Sequence, residues 1–394
     1  MREEVVIAGA VRTAVGTLGG CLTEVSSTKL GAVVIAEAMK RSGVGADHVD
    51  EVLMGNVLQA GAGMNVARQA ALLAGIPATS NAATINQVCG SGLRAVAMAA
   101  QQVALGDAGV VVAGGTESMS GAPYLLKKAR FGYRMGHGEL QDSMIADGLT
   151  CSIEQYHMGL TAENIAAEMG ISREEQDVFA AESQARTAAA MEAGRFRAEI
   201  VPVEVPQPKG PPLVVDRDEH PRPGTTVEKL TKLRPAFRPD GTVTAGNASG
   251  INDGAAAMVV MAARVAEELG VRPMARIVGF SMAGVEPRVM GLGPVPAVKK
   301  VLAKTGLGLD QIGLVELNEA FAAQSLAVIR LLGLDPGITN VNGGAIALGH
   351  PIGASGARIL VTLLHEMARR NVRFGLATLC IGGGQGIAMV VESL

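Results

Sequence analysis

Short runs of β-branched and apolar residues alternate along the chain with longer alanine-rich stretches that have helical spacing. Residues 5–8 and 51–55 predict strands, and residues 29–41 predict a helix between them. Residues 92–105 predict a second helix, which leads to a buried strand at 110–113. Because strands that alternate with helices pair into a sheet covered by helices, this order predicts an α/β fold.

The second part of the chain repeats some of this plan. Residues 91–94 (Ser-Gly-Leu-Arg) are echoed by residues 355–358 (Ser-Gly-Ala-Arg), and we expect each run to open an apolar helix. Each helix leads to a strand, at 110–113 and at 375–379, and each strand is followed by a run of glycines. The echo and the shared order of elements together predict a duplicated core.

Residues 120–239 differ from both halves. They hold most of the aromatic residues, a cluster of prolines and a charged helix expected from Ser172 to Gly194, where Ser172 and Glu175 have capping-box spacing. We interpret this region as an insertion over the core, where binding surfaces are usually built. The predicted domains are 1–119 for the N-terminal half, 120–250 for the insertion, which returns to that half near its end, and 251–394 for the C-terminal half.

Composition narrows the function. The formal net charge is −3 and no Lys/Arg cluster stands out, so we expect no nucleic-acid partner. No apolar run reaches the roughly 20 residues that span a bilayer, and residues 1–4 leave no room for a signal peptide before the first strand. Four scattered cysteines do not make a disulfide framework. We therefore expect a cytoplasmic protein with free thiols and no membrane partner.

Cys89 is the first candidate for chemistry. It lies in a polar, glycine-rich segment that turns into the helix 92–105, where free N–H groups and the helix dipole favour a thiolate. Gly90 and Gly92 leave space for a substrate carbonyl to approach. The alternative is a buried structural cysteine, but the polar setting favours a nucleophile.

Three other residues could act with this thiol. His350 lies in a glycine-flanked turn that the duplication places across from Cys89, and a Cys–His pair activates a thiol, although a lone histidine is more often structural. Cys380 could be simply buried or could exchange protons, since a free thiol has a pKa of about 8.5. Asn318 lies at a strand-to-helix turn beside two carboxylates and could hold a water, or those carboxylates could only cap the helix.

Cofactor signatures are missing from the sequence. The turn after the strand 110–113 lacks the G-x-G-x-x-G pattern of a dinucleotide site. No His/Cys/Asp spacing resembles a zinc site. We therefore expect chemistry without a cofactor or a metal.

Together these segments resemble the thiolases, and within that family the biosynthetic acetyl-CoA acetyltransferases. The resemblance covers nearly the whole chain, and the matching segments are 86–94, 246–250, 252–254, 318–321, 349–351 and 380–384. It implies a duplicated, five-layered αβαβα core with a long loop-domain insertion. It also implies CoA thioesters as substrates (acetyl-CoA, acetoacetyl-CoA and CoA) and a homotetramer, although residues 124–138, where relatives make tetramer contacts, resemble the family least.

The resemblance assigns a role to each catalytic residue. Cys89 would take an acetyl group from one acetyl-CoA while His350 accepts its proton, and Cys380 would deprotonate the methyl carbon of a second acetyl-CoA. One oxyanion site would consist of His350 and a water held by Asn318. The other would consist of the backbone N–H groups of Cys89 and Gly382.

The resemblance also implies the substrate contacts. Residues 155–159 look like the signature of the biosynthetic subgroup. The acyl and pantetheine groups would contact His157, Met158, Leu149, Phe321, Met290, Ser249 and Ala245, and the nucleotide end of CoA would contact Arg222. Bulky methionines would restrict acyl length, because a pocket discriminates between substrates by about 1–3 kcal/mol of transition-state free energy per extra methylene.

Three other functions fit parts of this sequence. A degradative 3-ketoacyl-CoA thiolase would accept longer chains, against which Met158 and Met290 argue. A decarboxylating ketosynthase would carry His or Asn where Cys380 stands. A silent CoA- or lipid-binding relative would not need Cys89, His350, Asn318 and Cys380 together.

Overall fold

The computed structural model describes residues 3–394. The prediction that no signal peptide precedes the first strand rests partly on residues 1–2, which lie outside the described range. The strands are β1 (Val5–Thr13), β2 (Gly16–Thr17), β3 (Glu51–Gly55), β4 (Asn81–Ile85), β5 (Val110–Ser118), β6 (Tyr124–Leu125), β7 (Gln141–Asp142), β8 (Thr150–Cys151), β9 (Tyr156–His157), β10 (Ile200–Val201), β11 (Val203–Val205), β12 (Leu213–Val215), β13 (Asn252–Ala262), β14 (Ala275–Gly284), β15 (Leu314–Leu317), β16 (Phe374–Ile381) and β17 (Gln385–Ser393). The helices are α1 (Ser27–Ser42), α2 (Val66–Leu73), α3 (Ser91–Leu105), α4 (Met158–Met169), α5 (Arg173–Glu192), α6 (Val227–Leu230), α7 (Ala263–Glu268), α8 (Pro294–Thr305), α9 (Ala322–Leu332), α10 (Ala345–Leu348) and α11 (Ile352–Arg370).

The long strands form one continuous mixed sheet in the order β15-β16-β17-β14-β1-β13-β5-β3-β4. Strand β1 joins the two halves, because Val6 pairs with Met261 of β13 on one side and with Arg276 of β14 on the other. The strand pairs β3–β4, β3–β5 and β15–β16 are parallel, whereas the strands in the middle of the sheet are antiparallel.

Five layers result from the packing of helices on this sheet. Helices α1 and α2 cover the outer face of the first half, and α8 and α9 cover the outer face of the second half. Helices α3 and α11 pack against each other and against strands of both halves, which makes them the central layer. The predicted duplicated αβαβα core is confirmed.

The long strands of the sheet are mostly apolar because both of their faces are buried. Along β5, Val110 and Val112 pack in the outer core, whereas Val111 and Ala113 pack in the central core. Successive side chains of a strand point to opposite faces, so a strand between two helical layers needs apolar residues at every position. Among residues 3–394, no helix is both long enough and apolar enough to cross a membrane.

The repeated Ser-Gly runs mark the crossing of the two central helices. A Cβ atom on Gly92 would lie 2.7 Å from the Ala357 backbone nitrogen, and one on Gly356 would lie 2.5 Å from the Leu93 nitrogen. The helices therefore touch backbone to backbone at these glycines. The first run opens α3 as predicted, but α11 begins at Ile352, so the prediction for the second run is wrong by about one turn.

The first glycine run also lies elsewhere than predicted. Gly114 and Gly115 do not follow the strand but lie inside β5, which continues to Ser118. A Cβ on Gly115 would lie 2.1 Å from the Gly353 carbonyl oxygen. The strand therefore carries glycine where the start of α11 crosses it.

The insertion lies between β5 and β13 and holds three small hairpins and helices α4, α5 and α6. Ser172 caps α5 in a capping box with Glu175, as predicted. The following strand, Asn252–Ala262, pairs with β1 and β5 of the first half, although it lies beyond our boundary at residue 250. The domain boundaries remain predictions, and this pairing favours a second half that begins after Ala262.

Candidate active site

A cavity of about 500 Å³ opens between the insertion and the ends of the central helices. Cys89, His350 and Cys380 line it, although they are far apart in the sequence. All of the predicted substrate contacts line it as well: Leu149, His157, Met158, Arg222, Ala245, Ser249, Met290 and Phe321. Asn318 and Gly382 are not among its lining residues, but each interacts with a residue that is.

The turn before α3 fixes the position of Cys89. Ser91 Oγ accepts a hydrogen bond from the Gln87 N–H at 2.8 Å and donates one to the Val88 carbonyl at 2.6 Å. Val88 itself has a φ of 47°, which turns the chain sharply. The half-buried Cys89 therefore stands directly before the first turn of α3, as the sequence predicts.

Burial dominates the acidity of this thiol. It raises the pKa of Cys89 to about 11, and the Glu117 carboxylate acts in the same direction. The backbone N–H groups of Gly382 and of Cys89 itself lower this pKa, but by less. The expectation of a thiolate favoured by the helix start is therefore wrong for the free protein, because desolvation outweighs the N–H groups. A base must take the thiol proton when a substrate reacts.

His350 is a buried, neutral imidazole whose Nδ1 lies 2.6 Å from Ser355 Oγ. Ser355 Oγ also donates to the Pro351 carbonyl at 2.9 Å, and in that arrangement it accepts a hydrogen bond from Nδ1–H, which leaves Nε2 unprotonated as a base. Burial, followed by the charge of Arg358, lowers the pKa of His350 to about 3. The Asn252 Oδ1 accepts the His350 backbone N–H at 2.9 Å.

Asn318 lies next to this imidazole. Its Nδ2 is 3.5 Å from His350 Nε2, and its backbone N–H donates to the Thr378 carbonyl at 3.0 Å. Its Oδ1 is buried and has no hydrogen-bond partner among residues 3–394. Buried amide oxygens normally accept a hydrogen bond, so this atom is suited to binding a water or a substrate group.

Cys380 is the last but one residue of β16. Burial raises the pKa of its thiol, and the nearby Cys89 raises it further, so the structure brings the two thiols together. The chain then turns through Gly383 and Gly384, whose φ values of 83° and 88° favour glycine. This turn presents the Gly382 N–H to the Cys89 sulfur.

An aromatic stack forms one wall of the cavity. The rings of His157 and Phe237 are stacked with centroids 4.7 Å apart, and Phe321 meets Phe237 edge-on at 6.3 Å. A Cβ on Gly159 would lie 2.3 Å from the Phe237 ring, so glycine is required there. Met158, Met290 and Phe321 pack in one apolar cluster with Cys380.

Sequence reasoning missed several residues of this site. Phe237 and His220 line the cavity, and Ser355, Asn252 and Glu117 bind the segments that carry His350. Ser355 and Asn252 belong to motifs that the sequence analysis singled out, but their contacts depend on tertiary structure. Within residues 3–394, no group of three or more His, Cys, Asp or Glu side chains is arranged to hold a metal ion.

Family models match almost the whole chain. The model "Thiolase, N-terminal domain" matches residues 5–264, and "Thiolase, C-terminal domain" matches residues 271–393. The fold and these matches define an acyltransferase. The chain belongs to the thiolase family, as the motifs predict.

Individual relatives and solved structures agree with this family assignment. The chain is 59% identical to the acetyl-CoA acetyltransferase of Pseudomonas aeruginosa over 389 residues and 58% identical to that of Escherichia coli over 390, with 99% of each chain covered. The crystal structure of the Bacillus anthracis acetyl-CoA acetyltransferase matches with a TM-score of 0.98 and 49% identity, covering 100% of this chain and 99% of that one. Human mitochondrial 3-ketoacyl-CoA thiolase matches with a TM-score of 0.96 and 46% identity, covering 99% of each.

Proposed function

We propose that this thiolase is an acetyl-CoA acetyltransferase, which reversibly condenses two acetyl-CoA molecules into acetoacetyl-CoA and CoA. The observation that carries the proposal is the convergence of Cys89, His350 and Cys380 in one cavity. Relatives that bear this name at 58–59% identity over nearly the whole chain support it.

In the first step, the Cys89 sulfur attacks the thioester carbonyl of acetyl-CoA and His350 Nε2 accepts the thiol proton. The N–H groups of Cys89 and Gly382 stabilise the oxyanion, and one such donor contributes about 3–4 kcal/mol in the transition state. The bond from the acetyl carbon to the CoA sulfur then breaks. CoA leaves with the proton from His350, and acetyl-Cys89 remains.

In the second step, Cys380 acts as the thiolate, its own proton having passed to the solvent, and removes a proton from the methyl carbon of another acetyl-CoA. His350 and a water held by Asn318 stabilise the enolate oxygen. The Ser355 hydroxyl can also donate to Nδ1, so it supports the tautomer that carries its proton on Nε2. The carbanion attacks acetyl-Cys89, a carbon–carbon bond forms, and the Cys89 thiolate is released and protonated from Cys380.

The walls of the cavity favour a short acyl group. Met158, Met290 and Phe321 are buried beside Cys380 and occupy the space into which a longer chain would extend. Arg222 and His220 lie at the junction with a second cavity that also contains Lys229, which suits the phosphates of CoA. CoA thioesters are the substrates in this proposal, and no further cofactor takes part. The alternative is a degradative 3-ketoacyl-CoA thiolase with a wider chain-length range.

Two experiments test the function. Incubation with acetyl-CoA is expected to add one acetyl mass to Cys89, and the Cys89→Ser variant is expected to lose this adduct. Acetylation of Cys151 in place of Cys89 would refute the assignment. Thiolysis of 3-ketoacyl-CoAs of increasing length is expected to favour acetoacetyl-CoA, and equal rates on long chains would favour the degradative alternative.

We also propose a cytoplasmic homotetramer, a dimer of dimers. Residues 124–140 present apolar side chains to solvent, with Phe131 94% and Met135 96% exposed, and such a patch commonly marks a protein interface. Light scattering is expected to give the mass of four chains, and the double variant Phe131→Ser/Met135→Ser is expected to give that of two. A monomeric wild-type protein would contradict this assembly.

A further inference from the structure

Glu117 is a buried carboxylate of β5 that joins segments from the two halves. Its Oε1 accepts hydrogen bonds from Asn56 Nδ2 at 2.8 Å and from the Leu58 N–H at 3.2 Å. Its Oε2 accepts from the Val57 N–H at 3.0 Å and from the Gly353 N–H at 2.9 Å. Three of these donors follow β3 in the first half, and the fourth belongs to the first turn of α11 in the second half.

The start of α11 is held against β3 and β5 without space between them. A Cβ on Gly353 would lie 2.5 Å from Glu117 Oε2 and 2.9 Å from the Asn56 Cα. Cβ atoms on Gly55 and Gly115 would lie 2.7 Å and 2.1 Å from the Gly353 carbonyl oxygen. Only glycine fits at these three positions, so the carboxylate bonds α11 at a fixed, close crossing.

This crossing lies next to the reacting groups. Gly353 is three residues after His350, in the first turn of the helix that follows it. Val57, Leu58 and Ile352 pack in one apolar cluster that the half-buried Cys89 also contacts. The hydrogen bonds of Glu117 therefore hold both the segment that carries the base and the apolar wall beside the nucleophile.

We propose that Glu117 is a positioning residue for acetyl transfer, whose carboxylate sets the place of His350 relative to Cys89 by bonding the segment after β3 to the first turn of α11. This inference rests on the proposed roles of Cys89 and His350.

All four donors need acceptors, so the carboxylate must be ionised to bind them. A glutamine would accept through one oxygen and present an NH₂ group to the other two donors, which would lose two of the four bonds. Burial raises the pKa of Glu117 to about 7, and the Asp253 charge also raises it, while the N–H groups of Val57, Leu58 and Gly353 lower it. Protonation would place an O–H group against the same donors.

The rate at which acetyl-CoA acetylates Cys89, measured in single turnovers between pH 5.5 and 9, tests this inference. In the wild type, the rate is expected to fall as the pH decreases through about 7. Glu117→Gln is expected to slow acetylation about 100-fold, which is the effect of a displacement of about 1 Å, and to leave the KM for acetyl-CoA little changed. The fall in rate towards low pH, the acidic limb of the profile, is expected to be absent from this variant. Iodoacetamide, which needs no alignment with His350, is expected to alkylate Cys89 in this variant still, with a lower apparent thiol pKa because the Glu117 charge is gone.

Glu366→Gln is the matched control. Glu366 is also buried and accepts hydrogen bonds from Asn342 Nδ2 and Arg369 Nε, but it lies near the other end of α11. Its variant is expected to acetylate at the wild-type rate, and an equal slowing would overturn the inference. Glu117→Asp keeps the charge on a shorter side chain and is expected to slow acetylation while the acidic limb remains.

The outcomes separate this inference from the proposed function. If wild-type Cys89 is not acetylated at all, the proposed function fails. If wild-type Cys89 is acetylated and both Glu117 variants acetylate at the same rate as the wild type, only the positioning role fails. If the Glu117→Gln protein does not fold, the Glu117→Asp variant tests the proposal. An unchanged acetylation rate in Glu117→Asp would then overturn it.

Discussion

The hydroxyl of Ser355 lies 2.6 Å from Nδ1 of His350 and donates a hydrogen bond to the Pro351 carbonyl oxygen at 2.9 Å. Ser355 lies in the first turn of α11 and His350 lies two residues before that helix, so the start of α11 sets their separation. With the ring proton on Nδ1, the Nε2 lone pair points towards Asn318 Nδ2, 3.5 Å away, from which it accepts a long hydrogen bond. The orientation and the tautomer of the proposed base therefore depend on a single serine.

Replacement of Ser355 by alanine is expected to lower kcat about 10- to 100-fold. A general base accelerates a reaction about 10²–10⁴-fold, and this variant keeps the His350 base but loses the hydrogen bond that aligns its ring. The rate of Cys89 acetylation, measured from CoA release, checks the expectation. Ser325→Ala is the control, because Ser325 Oγ is also buried but has no hydrogen-bond partner among residues 3–394. A Ser355→Ala enzyme as fast as the Ser325→Ala enzyme would show that the serine does not orient the imidazole.

Cys380→Ser is expected to separate the two proposed steps. The variant keeps Cys89 and His350, so it should still form acetyl-Cys89, but a serine hydroxyl is too weak a base at neutral pH to take the methyl proton. Exchange of the methyl protons of acetyl-CoA in deuterated water, followed by mass spectrometry, is expected to disappear. Cys151→Ser, which alters a buried cysteine of the same apolar cluster that does not line the cavity, is expected to retain both activities. Exchange at the wild-type rate in Cys380→Ser would rule out the second thiol as the base.

Widening the cavity is expected to admit longer substrates. Met290→Ala removes a buried side chain from the cluster beside Cys380, and a pocket discriminates by about 1–3 kcal/mol per methylene. The ratio of thiolysis rates for 3-ketohexanoyl-CoA and acetoacetyl-CoA is therefore expected to rise about 10-fold or more. Met64→Ala, at a position that is 91% exposed, is expected to leave the ratio unchanged. If Met290→Ala also leaves it unchanged, another side chain limits the acyl length.

The sequence predicts the reacting residues of this site better than it predicts the residues that hold them in place. Local sequence patterns indicate the glycine-rich surroundings of Cys89 and His350. They also indicate the apolar strands that are buried on both faces. The bond from Glu117 to Gly353 joins residues 236 positions apart, and nothing near either residue marks it. The pKa of Cys89 was misjudged for a similar reason, since the helix start is visible in the sequence but the depth of burial is not.

The stability of the protein is expected to depend on pH through His350. Burial lowers its pKa from 6.5 in an exposed imidazole to about 3, so the folded protein holds this side chain neutral. Below pH 6.5 the unfolded chain binds a proton that the folded chain does not. The stabilising contribution of a neutral His350 is therefore complete above pH 6.5 and is lost progressively as the pH falls towards 3.

At pH 5 this effect amounts to about 2 kcal/mol of unfolding free energy relative to neutral pH, since each pH unit corresponds to about 1.36 kcal/mol for one proton. His350→Gln cannot bind this proton and is expected to lose about 2 kcal/mol less than the wild type between pH 7 and pH 5, as measured by urea unfolding. His48→Gln removes an exposed histidine and is expected to follow the wild type. Parallel pH profiles for His350→Gln and the wild type would mean that the pKa of His350 is near 6.5 in the folded protein too, and that burial does not keep the imidazole neutral at pH 5.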